Sequence, residues 1–406
     1  YLWESVSVPI CLTATPIFNF FLFFYGKSTL FVSQCTMNNE LYFGIALSLI
    51  KGIGDNNAKQ LISYAGGVEQ LFKMSSARLQ KISGVGQKIA AKFENTKEAF
   101  IKAEQELKFI EKNNIQALFY FDKRYPKRLL NCADAPLILY CKGNFDFNKE
   151  RFVNVIGTRH ATEQGKEITE NLIIELSKYG VNLVSGLAFG IDICAHKAAN
   201  KVGMQNIAVL AHGLDRLYPA QHKNIAEKLQ ENGALVSDYR SGTNLDRQNF
   251  PDRNRIVAGM TDATIVVESA ASGGALITAE FANNYNKDVF AFPGRISDEY
   301  SAGCLNLIKN HKAQLITSAK DIIDCMNWDS AKTDTIASLI QPQLFLDLNE
   351  QEEKIYTILK QQEKIHIDLL TQQAQFPMSI LSSVLLQLEM KGVVASLPGK
   401  QYKIIA

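Results

Sequence analysis

Charge of one sign is the first thing this sequence does without. Its 43 Lys plus Arg stand against 41 Asp plus Glu, a formal net charge of +2. A role on nucleic acid therefore cannot rest on overall charge, and any basic footprint must be local. Metal-ligand spacing is missing too. The seven cysteines, at positions 11, 35, 132, 141, 194, 304 and 325, form no CxxC pair and have no His at zinc spacing. They read as free thiols in a reducing compartment. No GxxxxGK[ST] run is present, which removes the P-loop nucleotidases, and no carboxylate cluster suits a nuclease. No metal, cofactor or catalytic residue is expected.

Long apolar runs are confined to the front. Residues 9–32 are rich in Phe, Leu and Ile. Asn19 and Lys27 interrupt them, and no basic stretch precedes them as in a signal peptide. Residues 1–36 are expected to be a leader or an upstream-translated segment rather than a membrane anchor. Met37 before a polar, helix-starting stretch is the expected start, and a cytoplasmic location follows.

What is there begins with two similar turns, Ile50–Asp55 and Ile82–Gln87, 32 residues apart. Each is an apolar-Gly-apolar-Gly turn feeding a helix, the helix-hairpin-helix pattern. Gly52, Gly54, Gly84 and Gly86 would let a phosphate backbone approach the free N–H groups of the next helix. They are candidates for secondary DNA contacts, with Lys51, Lys59 and Lys88 near. The plain alternative is a small helical domain that keeps the shape without the binding. This domain is expected over residues 37–113.

From residue 114 to 326 short apolar strands alternate with helices, which predicts an α/β domain with a Rossmann-like, mostly parallel sheet covered on both faces. Phe152–Ile156 and Val181–Ser185 read as buried strands, each followed by a glycine turn, with a helix to about Tyr179 between them. Further strands are expected at Ala117–Tyr120, Asn206–Leu210, Ala234–Ser237, Ala263–Glu268, Asp288–Phe292 and Gln314–Thr317. Residues 327–349 read as a linker with Pro342. Residues 350–406 predict three helices and a β-hairpin, a winged helix. Its third helix, Met378–Met390, offers a DNA groove almost no positive charge, so a protein-contact or degenerate role is expected of it.

Three readings compete for the glycine-rich edge of the sheet. A dinucleotide site needs GxGxxG after the first strand, but Arg159 stands where the second glycine belongs. A phosphoribohydrolase of the lysine-decarboxylase-like type would use Glu268 as its acid, beside the helix entry at Gly273 and Gly274; spacing alone pairs no second group with it. The third reading is a site that tracks the phosphates of a nucleic-acid strand. Arg159 lies in the first turn and Ser185–Gly186 ends the second strand. Residues 240–255, expected as a loop, then hold Arg240, Arg247, Asn249, Phe250, Arg253, Asn254 and Arg255, the densest cationic cluster of the chain. Arginine forks suit phosphate, Asn suits phosphate or base edges, and Phe can stack. Against this, Asp246 and Asp252 are expected to neutralise two of the arginines. His196 and His212 are expected to be packing or hydrogen-bonding residues, and Asp192 to brace its turn.

These motifs occur in a known order. The stretches at 157–159 (GTR), 185–196 (SGLAFGIDICAH), 218–219 (YP), 249–259 (NFPDRNRIVAG), 268–280 (ESAASGGALITAE) and 289–294 (VFAFPG) resemble the DNA-processing protein A family, also called DprA or Smf. The likeness covers about residues 40–326, and essentially everything after Met37 once the tail is included. It implies a single-stranded DNA-binding protein, not an enzyme. Such a protein dimerises through an extended Rossmann fold, protects incoming strands and loads RecA recombinase in natural transformation. It also implies that Arg159 and Arg247 hold phosphate, that Arg253, Asn254 and Arg255 belong to the same loop, and that Ser185 and Gly186 form its facing turn. Three positions depart from the family: Thr158 replaces Ser, Ala220 replaces a basic residue whose role would pass to His222 or Lys223, and Leu305 replaces an Asn.

Overall fold

A computed structural model describes residues 29–82, 86–328, 348–362, 364–374, 376–397 and 400–405. Gly84, the leader up to residue 28 and most of the expected linker lie outside the described residues. Contacts divide the chain into a unit ending at Asp329 and a second from Ser330 onward.

The first unit opens with helices α1 (Thr29–Ser48), α2 (Asp55–Ala65), α3 (Val68–Lys73), α4 (Ser76–Leu79), α5 (Gln87–Ala90) and α6 (Lys97–Lys112). Helix α1 runs through the expected boundary at Met37 without a break. Next come β1 (Gln116–Phe119), α7 (Lys127–Leu130), β2 (Ile138–Asn144), β3 (Phe152–Ile156), α8 (Glu163–Ser177), β4 (Asn182–Ser185), α9 (Ile191–Val202), β5 (Asn206–Val209), α10 (Lys223–Leu229) and β6 (Gly233–Ser237). The unit closes with α11 (Asn249–Gly259), β7 (Ala263–Val266), α12 (Gly274–Asn284), β8 (Asp288–Ala291), α13 (Ala302–Lys309), β9 (Gln314–Leu315) and α14 (Ala319–Cys325).

The strands form one 9-stranded sheet in the order β1-β2-β6-β5-β4-β3-β7-β8-β9. The pairs β1–β2 and β2–β6 are antiparallel, and every other neighbouring pair is parallel. Strands β3 to β7 are buried at every residue, as continuous apolar runs require when helices cover both faces. Alternation splits the core in two. Phe152 and Ile156 join the layer with Val184 and Ile256, while Val153 and Val155 join Leu172 and Leu183 on the other face. The core runs on to Trp328, two residues past the expected domain end.

Sequence order leaves β6 for β7 across β3, so the topological switch lies between β3 and β7. In open α/β sheets the crevice for ligands forms at such a point, beyond the carboxyl ends of the strands.

The helical front packs as part of this unit. Its core takes in Phe119, Leu137, Ile138 and Tyr140 from the β1–β2 hairpin. Polar clamps reinforce the seam. Buried Glu106 of α6 accepts from the Ser241 N–H at 2.9 Å and from the Ser241 hydroxyl. Arg255 of α11 donates to Asp238 at 2.8 Å, to Asp55 of α2 at 3.4 Å and to the Asp134 carbonyl.

The second unit holds α15 (Glu350–Lys360), β10 (Ile365–His366), α16 (Ile367–Ala374), α17 (Met378–Met390), β11 (Val394–Leu397) and β12 (Gln401–Ile404). Asn349 starts α15 through a capping box with Glu352. The strands make a three-stranded sheet, β10-β12-β11, adding one short strand to the expected hairpin. The outward side of α17 carries Ser379, Ser383, Leu386 and Met390, none of them basic. Among the described residues no helix is long and apolar enough to cross a membrane.

Arg255→Ala leaves the Asp238 carboxylate, 12% exposed, without its cation. Loss of one partner of a buried pair costs about 3–5 kcal/mol. The expected result is a urea midpoint that falls accordingly, with part of the loss recovered in Arg255→Ala/Asp238→Asn.

Candidate nucleic-acid interface

The turn after β3 sets the geometry. The Thr158 N–H donates to the Glu268 carbonyl at 2.7 Å and the Ile191 N–H to the Thr158 carbonyl at 3.2 Å, which joins the ends of β3 and β7 to the start of α9. Gly157 is required here, because a Cβ would lie 2.5 Å from Ile191 Cγ1 and 2.8 Å from the Glu268 carbonyl oxygen. Thr162 then caps helix α8, its side chain accepting from the Gly165 N–H at 3.0 Å.

In a dinucleotide-binding Rossmann fold the pyrophosphate sits at the N-terminus of this first helix. Here a protein carboxylate sits there instead. Glu268 accepts from the Thr162 N–H at 3.0 Å and from its hydroxyl, and lies against Gly165, where no Cβ would fit. The arrangement satisfies the helix end with a negative side chain. It also commits both Glu268 oxygens, so the acid that a phosphoribohydrolase would need is tied to a helix cap.

Arg159 stays exposed. Its guanidinium lies over the Phe250 ring, 5.7 Å from the centroid, and Phe250 meets Tyr218 edge-on at 5.8 Å. Tyr218, 44% exposed, follows from the sequence only as half of its Tyr-Pro motif; the bond to Pro219 is cis. Arg247 is exposed, and no ion pair or side-chain hydrogen bond engages its guanidinium among the described residues. Two cations, a phenylalanine and a tyrosine thus stand beyond the strand ends. His160 adds a stacking contact to Tyr300 at 6.3 Å.

The segment from Asn249 onward is helical rather than a loop, because Pro251 falls in the first turn of α11, where a missing N–H costs nothing. Helical periodicity then divides the cluster. Phe250 and Asn254, four residues apart, share one face. Arg253 shares the other with Ile256 and Val257, so it points inward and is 4% exposed. Its guanidinium lies against Gly186, where a Cβ would come within 2.5 Å of it, and donates to the Val209 carbonyl. Asp192 supplies the counter-charge and accepts from the Gly186 N–H at 3.1 Å. Burial raises the Asp192 carboxyl above its ordinary range, against the pull of Arg253.

Several expected contacts are therefore corrected. Arg253 and Arg255 are spent inside the protein and position the site rather than face a ligand. Ser185 is fully buried, its hydroxyl donating to the Val155 carbonyl at 2.8 Å. His222 is buried with Nδ1 2.8 Å from the Leu187 carbonyl oxygen, whereas Lys223 is exposed, 3.8 Å from the Glu227 carboxylate. Asp246 and Asp252 bond Gln248, not an arginine. Asn249 donates to the Asn244 carbonyl at 3.1 Å. Gly273 and Gly274 are exposed at the start of α12, with Asn254 Nδ2 donating to the Gly274 carbonyl at 3.2 Å. That helix end offers free N–H groups beside the arginine face.

The two front turns differ. Gly52 and Gly54 are exposed, but Asp55 puts a carboxylate into the first turn of α2 and accepts from the Leu137 N–H at 3.0 Å. A negative charge thus occupies the phosphate position expected there. Gly86 precedes α5, which is a single turn of 4 residues.

His196, as expected, is a packing and hydrogen-bonding residue. It is fully buried, with Nδ1 2.5 Å from Asn206 Oδ1 and Nε2 accepting from the Leu187 N–H at 3.3 Å. That pattern holds the neutral ring, and burial pushes its pKa down to about 4. The unfolded chain therefore takes up a proton first. The stabilising contribution is whole above about pH 6.5 and is lost as pH falls towards 4. Chemical denaturation from pH 7 to pH 4.5 should show stability falling, with a shallower slope in His196→Gln.

Residues 116–327 match the DNA recombination-mediator protein A family, and residues 341–400 match the DprA winged helix domain. The chain is similar to Protein Smf of Synechocystis sp., 32% identical over 396 residues that cover 90% of this chain and 99% of the relative. It is also similar to DNA processing protein DprA of Streptococcus pneumoniae, 41% identical over 202 residues that cover 50% of this chain and 71% of the relative. The X-ray structure of the Streptococcus pneumoniae protein superposes with a TM-score of 0.61 at 33% identity, covering 70% of this chain and 97% of that one.

Proposed function

Because the chain belongs to the DNA recombination-mediator protein A family, we propose that it binds single-stranded DNA along the carboxyl ends of its parallel strands, without catalysing a reaction. The observation that carries this reading is the exchange at the first turn. Glu268 fills the helix end a nucleotide's pyrophosphate would use, while Arg159 stands exposed over Phe250. The site is closed to a dinucleotide and open to an extended strand. Arg159, Arg247 and Lys223 take phosphates, the α12 N-terminus at Gly273–Gly274 takes another, and Phe250 with Tyr218 offers ring edges and faces to bases.

In this reading the protein works in the cytoplasm as a homodimer that shields an incoming strand and passes it to RecA recombinase. Support for that part comes from the family alone. Crosslinking the full chain with RecA in the presence of DNA tests it, and a capture that is equal without DNA or in Arg159→Ala would overturn the hand-over.

Fluorescence anisotropy with an oligo-dT strand tests the site. Arg159→Ala and Arg247→Ala should each weaken binding about tenfold, the scale of a charge-assisted hydrogen bond. Each should also flatten the dependence of log affinity on log salt by about 0.7 for every phosphate no longer neutralised. Unchanged affinity in the double variant, with its fold intact by circular dichroism, rejects the site. Glu268→Gln should lower thermal stability and leave nucleoside monophosphates unhydrolysed in both proteins; base release by the parent that the variant lacks would favour the hydrolase instead.

A further inference from the structure

At the far side of the sheet, β1 pairs only with Ile138–Cys141 of β2, leaving residues 142–144 open along that side. Asn144 is level with Gly233, the first residue of β6, so this corner lies at the amino ends of the parallel strands. Arg159 lies beyond their carboxyl ends. A cavity of about 370 Å³ opens where β1 begins and β2 ends, lined by Lys123, Arg124, Lys127 and the segment Phe145–Asn148.

We propose that this cavity is a second binding site, for a 5′-phosphorylated nucleoside unit, whether free or within a strand. Its volume falls in the range of small-ligand sites. Lys123 and Lys127 are exposed, and neither ammonium has a hydrogen-bond or ion-pair partner among the described residues. Arg124 is fixed in place by Asp122 at 2.6 Å and Gln116 at 2.8 Å. The Asp146 carboxylate in the lining is turned to the Asn148 N–H at 2.9 Å, closing its own loop.

An aromatic platform completes the cavity. Phe145 stacks on Phe147 with centroids 4.2 Å apart and planes 22° apart. Phe147 is 2% exposed and anchors the pair in the core, and Phe145 is half-buried. A rigid ring beside two unpaired ammoniums suits a base and its phosphate, whereas a bare anion would have no use for the ring. The Asn148 side chain keeps the two walls together: its oxygen accepts from the Lys127 N–H at 3.0 Å and its amide donates to the Tyr125 carbonyl at 3.3 Å.

The test uses the full chain carrying Arg159→Ala and Arg247→Ala, so that failure of the first site cannot be mistaken for failure of this one. Thymidine 5′-monophosphate and an oligo-dT strand are titrated separately by calorimetry and anisotropy. We expect residual binding of at least one probe, weakened about tenfold or more by adding Lys123→Gln/Lys127→Gln and, separately, by Phe145→Leu. Binding of the mononucleotide identifies a free nucleotide as sufficient, and binding of the oligomer alone identifies a strand. No binding of either probe to the parent overturns the proposal. So does binding that is unchanged in the lysine variant, which would leave Lys123 and Lys127 as solvating charges at a sheet edge.

Discussion

The guanidinium of Arg253 holds the functional edge together. A buried cation is costly, and counter-charge and hydrogen bonds offset that cost. Its surroundings come from separate elements: it donates to the Val209 carbonyl at the end of β5, Asp192 in the first turn of α9 supplies the counter-charge, and Gly186 after β4 leaves the room, while Nε has no hydrogen-bond partner among the described residues. Arg253 reaches them from α11, the helix that also carries Phe250 and Asn254. One charge therefore fixes the turn after β4, the start of α9 and the pitch of the helix that presents the exposed aromatic. The absence of a side chain at Gly186 is a condition of that close approach.

The arginines of one short segment thus divide their work by helical phase. Arg253 looks into the sheet edge. Arg255 turns towards Asp238 and Asp55 and ties the helical front to the sheet. Arg247, just ahead of α11, stays in solvent, where it joins Arg159. Of the two inward charges, Arg255 is ion-paired with Asp238 and Arg253 is buried with Asp192 as its counter-charge, so removing a partner of either is costly. The two outward charges contribute little to stability and remain available to an anion. A site of this kind is rigid beneath and unsatisfied above, which is the arrangement an extended polyanion needs.

The strands were legible because buried parallel strands leave a plain mark. Phe152–Ile156 is expected and observed residue for residue, and burial on both faces forces the unbroken apolar run. The fate of individual arginines was less open to view. Residues 249–255 look like a loop until Pro251 is taken as a first-turn residue. Once the helix is granted, Arg253 falls three and four residues before Ile256 and Val257, and its inward direction follows. Partners far along the chain leave no such trace. Nothing near Arg255 in sequence points to Asp55, and nothing near Thr162 points to Glu268.

On the proposed reading, that last pairing is what turns a nucleotide-binding architecture towards a strand. The N-terminus of α8 draws negative charge whatever its origin, because the first turn leaves N–H groups unsatisfied. If the site is left empty, a free nucleotide can compete for it and occupy the edge. Glu268 supplies the negative charge from within the chain, at a fixed position and without loss of translational freedom on binding. With the start of α8 satisfied internally, the remaining attraction lies in side chains that project outward, Arg159 and Arg247, and in the exposed start of α12. These groups follow different strands of the sheet and lie along one edge. Attraction spread along a line favours a ligand whose charge is also spread along a line.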